Sequence, residues 1–277
     1  MINNRNNASV HVLQLCVWLL IISSGPVGLA QKFTLGLKGG ASFTWPGFGD
    51  KEGRDVFNRR IKPGYHAGFV VGFPLKNNYE VLLEGGASRK GRIVTFNDNP
   101  KWENNMSMYM TDMSMMLRRS FRFMLKKDTP AEGFINIGPE INYWFNSSGF
   151  VRVTDGPKYK YDVVFGADAD PDVGGNYTLS LQQVNRWLFS LGVGVGLKAP
   201  LGNSRFITTE LRFLSGHTFL GKSESAWMDR FIWGDGGMQD TMKTNLKTVA
   251  LNISYTIDID LKEKNKGKST IKKKLKK

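Results

Sequence analysis

The sequence predicts an all-β protein, an eight-stranded antiparallel transmembrane β-barrel with long extracellular loops and short periplasmic turns. Three observations predict this fold class: apolar and polar residues alternate in eight runs, short and long connections alternate between those runs, and the face opposite the apolar one is polar and glycine-rich. The 277 residues are 41% hydrophobic and 22% charged, which excludes a wholly disordered chain. Beyond the N-terminus no apolar run reaches about 18 residues, which excludes a polytopic helical membrane protein.

Residues 1–30 are predicted to be a secretory signal peptide. Arg5 precedes an apolar stretch at residues 12–22, and small residues follow, so cleavage is expected between Ala30 and Gln31. An anchoring helix is the alternative, but an apolar stretch of about 11 residues is too short for a bilayer of about 30 Å. The mature chain is therefore expected to be exported.

Eight runs with a period of two follow, and each is predicted to be a strand with faces in two different environments. They lie at residues 33–43, 67–75, 79–92, 109–125, 135–145, 187–198, 207–213 and 249–259. In the first run Leu35 and Leu37 alternate with Gly36 and Lys38. A soluble β-sandwich or lipocalin-like barrel is the alternative, but charged residues and glycines fit a small polar lumen better than a solvent-exposed exterior.

The connections between the runs alternate in length. The short ones lie at residues 76–78, 126–132 and 200–204, and the long ones at residues 44–62, 93–105, 146–184 and 218–243. This arrangement is typical of outer-membrane barrels, in which short turns are periplasmic and long loops extracellular. The barrel domain is predicted to span residues 31–260.

Arg119 interrupts the apolar face of the fourth run. Either a β-bulge turns Arg119 inward, or its long side chain extends to a membrane interface. The sequence leaves both alternatives open.

Three segments carry a resemblance to a known family. They are LGLKGGASF at residues 35–43, KPGYHAGF at residues 62–69 and EGGASRKG at residues 84–91. The chain resembles the outer-membrane β-barrel proteins of Bacteroidota that are described as PorT-like. The resemblance implies a location in the outer membrane of a Gram-negative bacterium; one group in that family assists type IX protein secretion, and most members have no assigned activity.

Six charged residues fall at comparable heights on the predicted inner face. They are Lys38, Glu84, Arg118, Glu140, Glu210 and Arg212. Because an eight-stranded barrel has room only for its own side chains, we expect a paired network that blocks free passage. The alternative is a gate or a narrow path for protons or ions.

The predicted third long loop contains carboxylates at alternating positions, Asp168, Asp170 and Asp172, which is a weak candidate for a Ca²⁺ site. The segment departs from the EF-hand pattern because its glycine comes one position late and Leu179 stands where the bidentate glutamate belongs. No other metal and no cofactor is predicted.

A catalytic site has little support in the sequence. His217 lies at an outer strand end with Ser215, Ser223, Glu224 and Asp229 nearby, but no nucleophile motif surrounds these serines. An outer-rim hydrolase centred on His217 is therefore an alternative, and a protein without enzymatic activity is the main expectation.

Residues 261–277 contain nine lysines and one glutamate, a net charge of +8 out of +14 for the whole chain, and are expected to be a disordered periplasmic tail. Nucleic acid is not expected as a partner of an exported chain. The expected partners are outer-membrane lipid and proteins of an envelope or secretion complex. We predict a scaffold or accessory of such a complex, or a surface interaction module; a small passive porin-like channel is the alternative.

Overall fold

The computed structural model describes residues 32–49, 51–97, 102–126, 129–152, 157–166, 177–181, 183–202, 204–222 and 242–260. These ranges contain one short helix, α1 (Lys51–Val56), and the strands β1 (Lys32–Phe48), β2 (Phe57–Arg60), β3 (Lys62–Pro74), β4 (Tyr79–Phe96), β5 (Glu103–Lys126), β6 (Thr129–Arg152), β7 (Lys158–Phe165), β8 (Tyr177–Leu181), β9 (Trp187–Gly202), β10 (Arg205–Gly216) and β11 (Thr244–Asp260). No helix in these ranges is both long and apolar enough to cross a membrane.

Eight of these strands form a closed ring in the order β1, β3, β4, β5, β6, β9, β10, β11, with β11 next to β1. They correspond to the eight predicted runs, and neighbouring strands are antiparallel. The ring lies within one compact unit, Thr34–Ile259. Outside that unit the described residues are Lys32, Phe33 and Asp260, and Lys32 Nζ lies 3.1 Å from Asp260 Oδ2.

The seam between β1 and β11 shows how closely the ring is closed. Thr34 Oγ1 donates a hydrogen bond of 2.7 Å to Asp258 Oδ1, and the Thr44 and Thr248 hydroxyl oxygens are 3.2 Å apart. A Cβ on Gly40 would overlap the Leu251 carbonyl oxygen. Only glycine permits this approach of the two backbones.

The two faces of the ring confirm the predicted orientation. The apolar residues point outward: Leu37 is 71% exposed and Met113 is 61% exposed. The alternating residues point into the lumen, where Asn136 and Glu210 are buried. A soluble β protein would bury the apolar face, so the exposed apolar belt indicates a lipid environment.

Short turns close one end of the ring, here called the short-turn end; the opposite end is called the long-loop end. Asn77 and Asn78 join β3 to β4 with φ angles of 61° and 62°, as a two-residue hairpin turn requires. Ser204, with φ of 62°, lies in the turn between β9 and β10.

The long-loop end contains more regular structure than the sequence predicts. Both β5 and β6 have 24 residues, about twice the length that a membrane-spanning strand needs. β2 pairs with the end of β4, β7 pairs with the end of β6, and β8 lies parallel to β7. The predicted loops 44–62 and 146–184 thus contribute strands to a sheet beyond the ring, here called the extension.

Candidate functional site

Four of the six predicted lumen charges meet in one cluster. The Arg212 guanidinium donates to both Glu84 oxygens at 2.6 and 2.8 Å and to both Glu210 oxygens at 2.5 and 3.0 Å. Lys38 Nζ lies 2.9 Å from Glu84 and 3.8 Å from Glu210, and Ser114 Oγ donates to Glu84 at 2.9 Å. Two cations therefore neutralise two carboxylates inside the barrel.

Glu140 belongs to a second cluster, centred on Lys90. Lys90 Nζ lies 2.8 Å from Glu140 and 3.2 Å from Asp112, and it donates to Asn142 Oδ1 at 2.5 Å. Lys90 and Asp112 are thus members of the lumen network that the sequence analysis did not include. Their alternation with apolar neighbours on β4 and β5 is the signal that could have identified them.

Arg118 lies apart from both clusters. Its Nη1 is 3.3 Å from Glu80 Oε2, and its guanidinium carbon lies 4.0 Å from the centre of the Phe134 ring. The strands of a barrel are tilted by about 35–45°, so residues at equal counts from the strand ends lie at different heights. The expected single layer of six charges is therefore divided into three groups.

The lumen between these groups is narrow. A cavity of about 60 Å³ lies among Lys38, His66, Glu84, Asp112 and Arg212, which is room for a few water molecules. Side chains of neighbouring strands occupy the space beside the inward-facing glycines. A Cβ on Gly194 would lie 2.5 Å from Glu210 Oε1.

An apolar core covers the long-loop end. Met106, Met108 and Met110 on β5 and Trp144 on β6 are fully buried. The Trp144 ring packs edge-on against Phe165, with 4.9 Å between the ring centroids. The other buried members are Val151, Tyr161, Val163, Leu181, Val184, Leu188, Leu220, Met242 and Leu246. The extension therefore has a packed interior of its own.

The outer face shows where the apolar belt begins and ends. Tyr79 and Arg119 are register partners on β4 and β5, and so are Arg89 and Tyr109. In each pair the guanidinium lies over the ring, at 5.5 Å for Arg119 and 6.0 Å for Arg89. Ten residues of a strand tilted by about 40° rise about 26 Å, close to the height of a membrane belt. The β4–β5 register is regular at Arg119, so this residue extends to the interface at the short-turn end and is not turned inward by a bulge.

Lys62, the first residue of β3, lies above this belt at the long-loop end. Its Nζ donates a hydrogen bond to Asn105 Oδ1, and its stem passes over Gly91, where a Cβ would lie 2.7 Å from Lys62 Cδ. Burial and the charge of Arg89 lower the pKa of Lys62 to about 8, while Glu103 acts in the opposite direction.

The catalytic alternative at His217 receives no geometric support. His217 has an exposed side chain, and its backbone N–H donates to the Phe189 carbonyl at 2.8 Å. The described part of the chain contains no group of three or more His, Cys, Asp or Glu residues that could hold a metal ion. The Ca²⁺ candidates Asp168, Asp170 and Asp172 and the cleavage positions Ala30 and Gln31 lie outside the described residues, as does the basic tail at 261–277.

Comparison with known proteins places the geometry in a family. The family model described as "Outer membrane protein beta-barrel domain" matches residues 29–218, which is more than half of the chain. No curated protein matches the chain.

Several solved outer-membrane proteins have a similar fold. Neisserial surface protein A is 10% identical, with 81% of this chain and 96% of that chain covered and a TM-score of 0.38. OprG from Pseudomonas aeruginosa is 10% identical, with 82% and 95% covered and a TM-score of 0.43. Ail of Yersinia pestis, solved with the heparin analogue sucrose octasulfate, is 10% identical, with 81% and 99% covered and a TM-score of 0.31.

Proposed function

The chain belongs to the outer membrane protein β-barrel domain family, and from that premise we propose that it is a non-enzymatic scaffold that presents an ordered extracellular surface to a partner in the cell envelope. The outer membrane of a Gram-negative bacterium is its location. The extension on β4, β5 and β6 is the surface in question. We further propose that the chain is a PorT-like member of the family, is exported by a cleaved signal peptide at residues 1–30, and carries its basic tail in the periplasm.

The packed extension is the observation that carries the proposal. Strands of 24 residues rise well beyond the belt and continue into a sheet flanked by β2, β7 and β8. A buried tryptophan and three buried methionines hold that sheet together. A preorganised surface loses little conformational entropy when a partner binds, which favours recognition over a merely connecting role.

The porin-like alternative has less support. The Glu84–Arg212 cluster crosses the lumen, and the apolar core lies at its long-loop end. An ion would have to separate charge-assisted hydrogen bonds and then pass an apolar region, and both steps are unfavourable. The hydrolase alternative also lacks support, because among the described residues no carboxylate lies within ion-pair distance of His217.

Site-specific photo-crosslinking in native outer membranes tests the scaffold. A photoreactive residue at Lys158 or Lys160, both exposed on β7, is expected to capture one envelope protein reproducibly and in high yield. The same residue at Lys76, exposed in the turn after β3, is the matched control and is expected not to capture that protein. Equal capture from all three positions, or capture from none, would contradict the proposal.

Conductance in planar bilayers tests the closed lumen separately. The purified full-length protein is expected to give no conductance above that of the bare bilayer. Stable unitary steps that depend on protein insertion would favour the porin-like alternative instead.

A further inference from the structure

The outer face at the upper edge of the belt carries cations that have no carboxylate partner. Arg89 Nη2 donates to Ser107 Oγ at 2.9 Å, and Arg89 Nε has no hydrogen-bond partner among the described residues. Lys62 Nζ donates to the neutral Asn105 Oδ1. Within the described chain, no Asp or Glu oxygen lies within 4.0 Å of either charged group.

The nearest carboxylate is already engaged. Glu103 lies 2.8 Å from Arg152 and 3.9 Å from Arg60. Glu103 is thus shared by Arg152 and Arg60, and it also attracts the Lys62 ammonium. Because Arg89 and Lys62 repel each other, their proximity is unfavourable unless an anion lies between or beside them.

The height of these two residues indicates which anion they meet. Tyr65 on β3 and Tyr109 on β5 are the register partners of Arg89 on either side, and Tyr65 is exposed. Directly below, Phe69 and Met113 face outward from the belt. Arg89 therefore lies where acyl chains end and lipid head groups begin.

We propose that Arg89 and Lys62 form a binding site for a phosphate group of an outer-leaflet lipid. The planar guanidinium fork of Arg89 suits two phosphate oxygens, and Lys62, which is 8% exposed and bound to Asn105, adds positive charge from beneath. The exposed Tyr65 ring packs against the upper part of an acyl chain of the same lipid. The lipid thereby supplies an anion that the described residues around Arg89 do not.

Native mass spectrometry of the full-length protein in detergent tests the site. The protein is titrated with diphosphorylated lipid A, and the fraction that carries one lipid is measured. The double variant Arg89→Gln/Lys62→Gln is expected to bind this lipid about tenfold more weakly or worse, because charge-assisted hydrogen bonds to phosphate are lost. Dephosphorylated lipid A is expected to bind the wild type and the double variant equally.

Arg119→Gln is the matched control. It removes the equivalent guanidinium from the other Arg–Tyr pair, at the short-turn end of the same two strands. Its binding of diphosphorylated lipid A is expected to change less than twofold. Equal weakening by Arg119→Gln and the double variant, or no weakening by the double variant, would overturn the proposal.

Two further arms distinguish the source of the phosphate and guard against misfolding. Inorganic phosphate at millimolar concentration is expected not to displace the lipid; full displacement would assign the site to free phosphate and overturn the lipid assignment. If the double variant fails to fold, as judged by circular dichroism, Arg89→Lys replaces it. That variant keeps the charge but loses the fork, and it is expected to bind several-fold more weakly; unchanged binding would again overturn the proposal.

Discussion

Charged residues are buried in two regions of the molecule, the lumen of the barrel and the outer face at its long-loop end, and their surroundings differ. In the lumen Lys38, Lys90 and Arg212 each have two carboxylates within 3.8 Å. On the outer face, within the described chain, Lys62 and Arg89 donate to the neutral side-chain oxygens of Asn105 and Ser107. The lumen cations have carboxylate partners within the protein, whereas the outer cations have none among the described residues.

This difference separates a structural role from a binding role. A paired network inside the barrel holds opposite walls together across the lumen and keeps Lys38, Lys90 and Arg212 each next to carboxylates. A cation at a membrane surface gains about 1 kcal/mol from attraction to anionic lipid.

The largest effect is expected for Glu84→Gln. This change leaves Arg212 and Lys38 with an excess positive charge in the lumen, and breaking a buried ion pair typically costs about 3–5 kcal/mol. The free energy of unfolding, measured by urea titration in lipid vesicles, should fall by about that amount.

The control for this variant is Glu132→Gln. Glu132 pairs with Arg122 at 3.2 Å, but the Arg122 side chain is 78% exposed. Exposed pairs contribute about 0–1 kcal/mol, so this variant should be close to wild type. Equal losses in the two variants would mean that the lumen network has no special weight.

A smaller effect is expected for Lys38→Met. Glu84 keeps its two hydrogen bonds from Arg212 and one from Ser114, so the carboxylate stays compensated. A loss of about 2 kcal/mol is expected, the usual contribution of a hydrogen bond to a charged group. In the same urea titration, the double variant Lys38→Met/Glu84→Gln should lose less than the sum of the two single variants, because both residues act in one cluster. Additive losses would show that the two residues act independently.

The sequence predicted the ring and its faces but not the grouping of the charges. Period two identifies which residues point inward, because successive side chains of a strand alternate. It does not give relative height, because strand tilt moves Arg118 and Glu140 away from the cluster that Glu84 forms. The sequence also does not show whether Arg119 is turned inward by a bulge or extends to the membrane interface. The regular β4–β5 register shows that it extends to the interface.

The extension was missed for a related reason. β7 pairs with the end of β6 across a short connection, with Arg152 and Lys158 as register partners, and β8 lies parallel to β7. Residues 167–176, within the predicted loop 146–184, are rich in Asp, Gly and Pro, which is typical of a loop. Residues 158–165 nevertheless alternate Tyr, Val and Phe with charged residues, which is a local strand signal, and burial of Tyr161 and Val163 in the apolar core adds to it.

The smallest effect concerns the outer face and the pH. The pKa of Lys62 is lowered by burial from 10.5 to about 8, so between these two pH values the folded protein binds fewer protons than the unfolded chain. The free energy of unfolding should therefore rise with pH from about 8 to 10.5, by no more than about 1 kcal/mol because the group is partly screened. Lys62→Met should remove that rise, while titrations common to both proteins cancel in the difference.

The comparison is made by urea titration in zwitterionic vesicles and then in vesicles containing diphosphorylated lipid A. A bound phosphate favours the charged amine, so the lipid should weaken the pH dependence of the wild type and leave Lys62→Met unaffected. An identical pH dependence of the wild type in both vesicles would mean that the Lys62 ammonium meets no lipid phosphate.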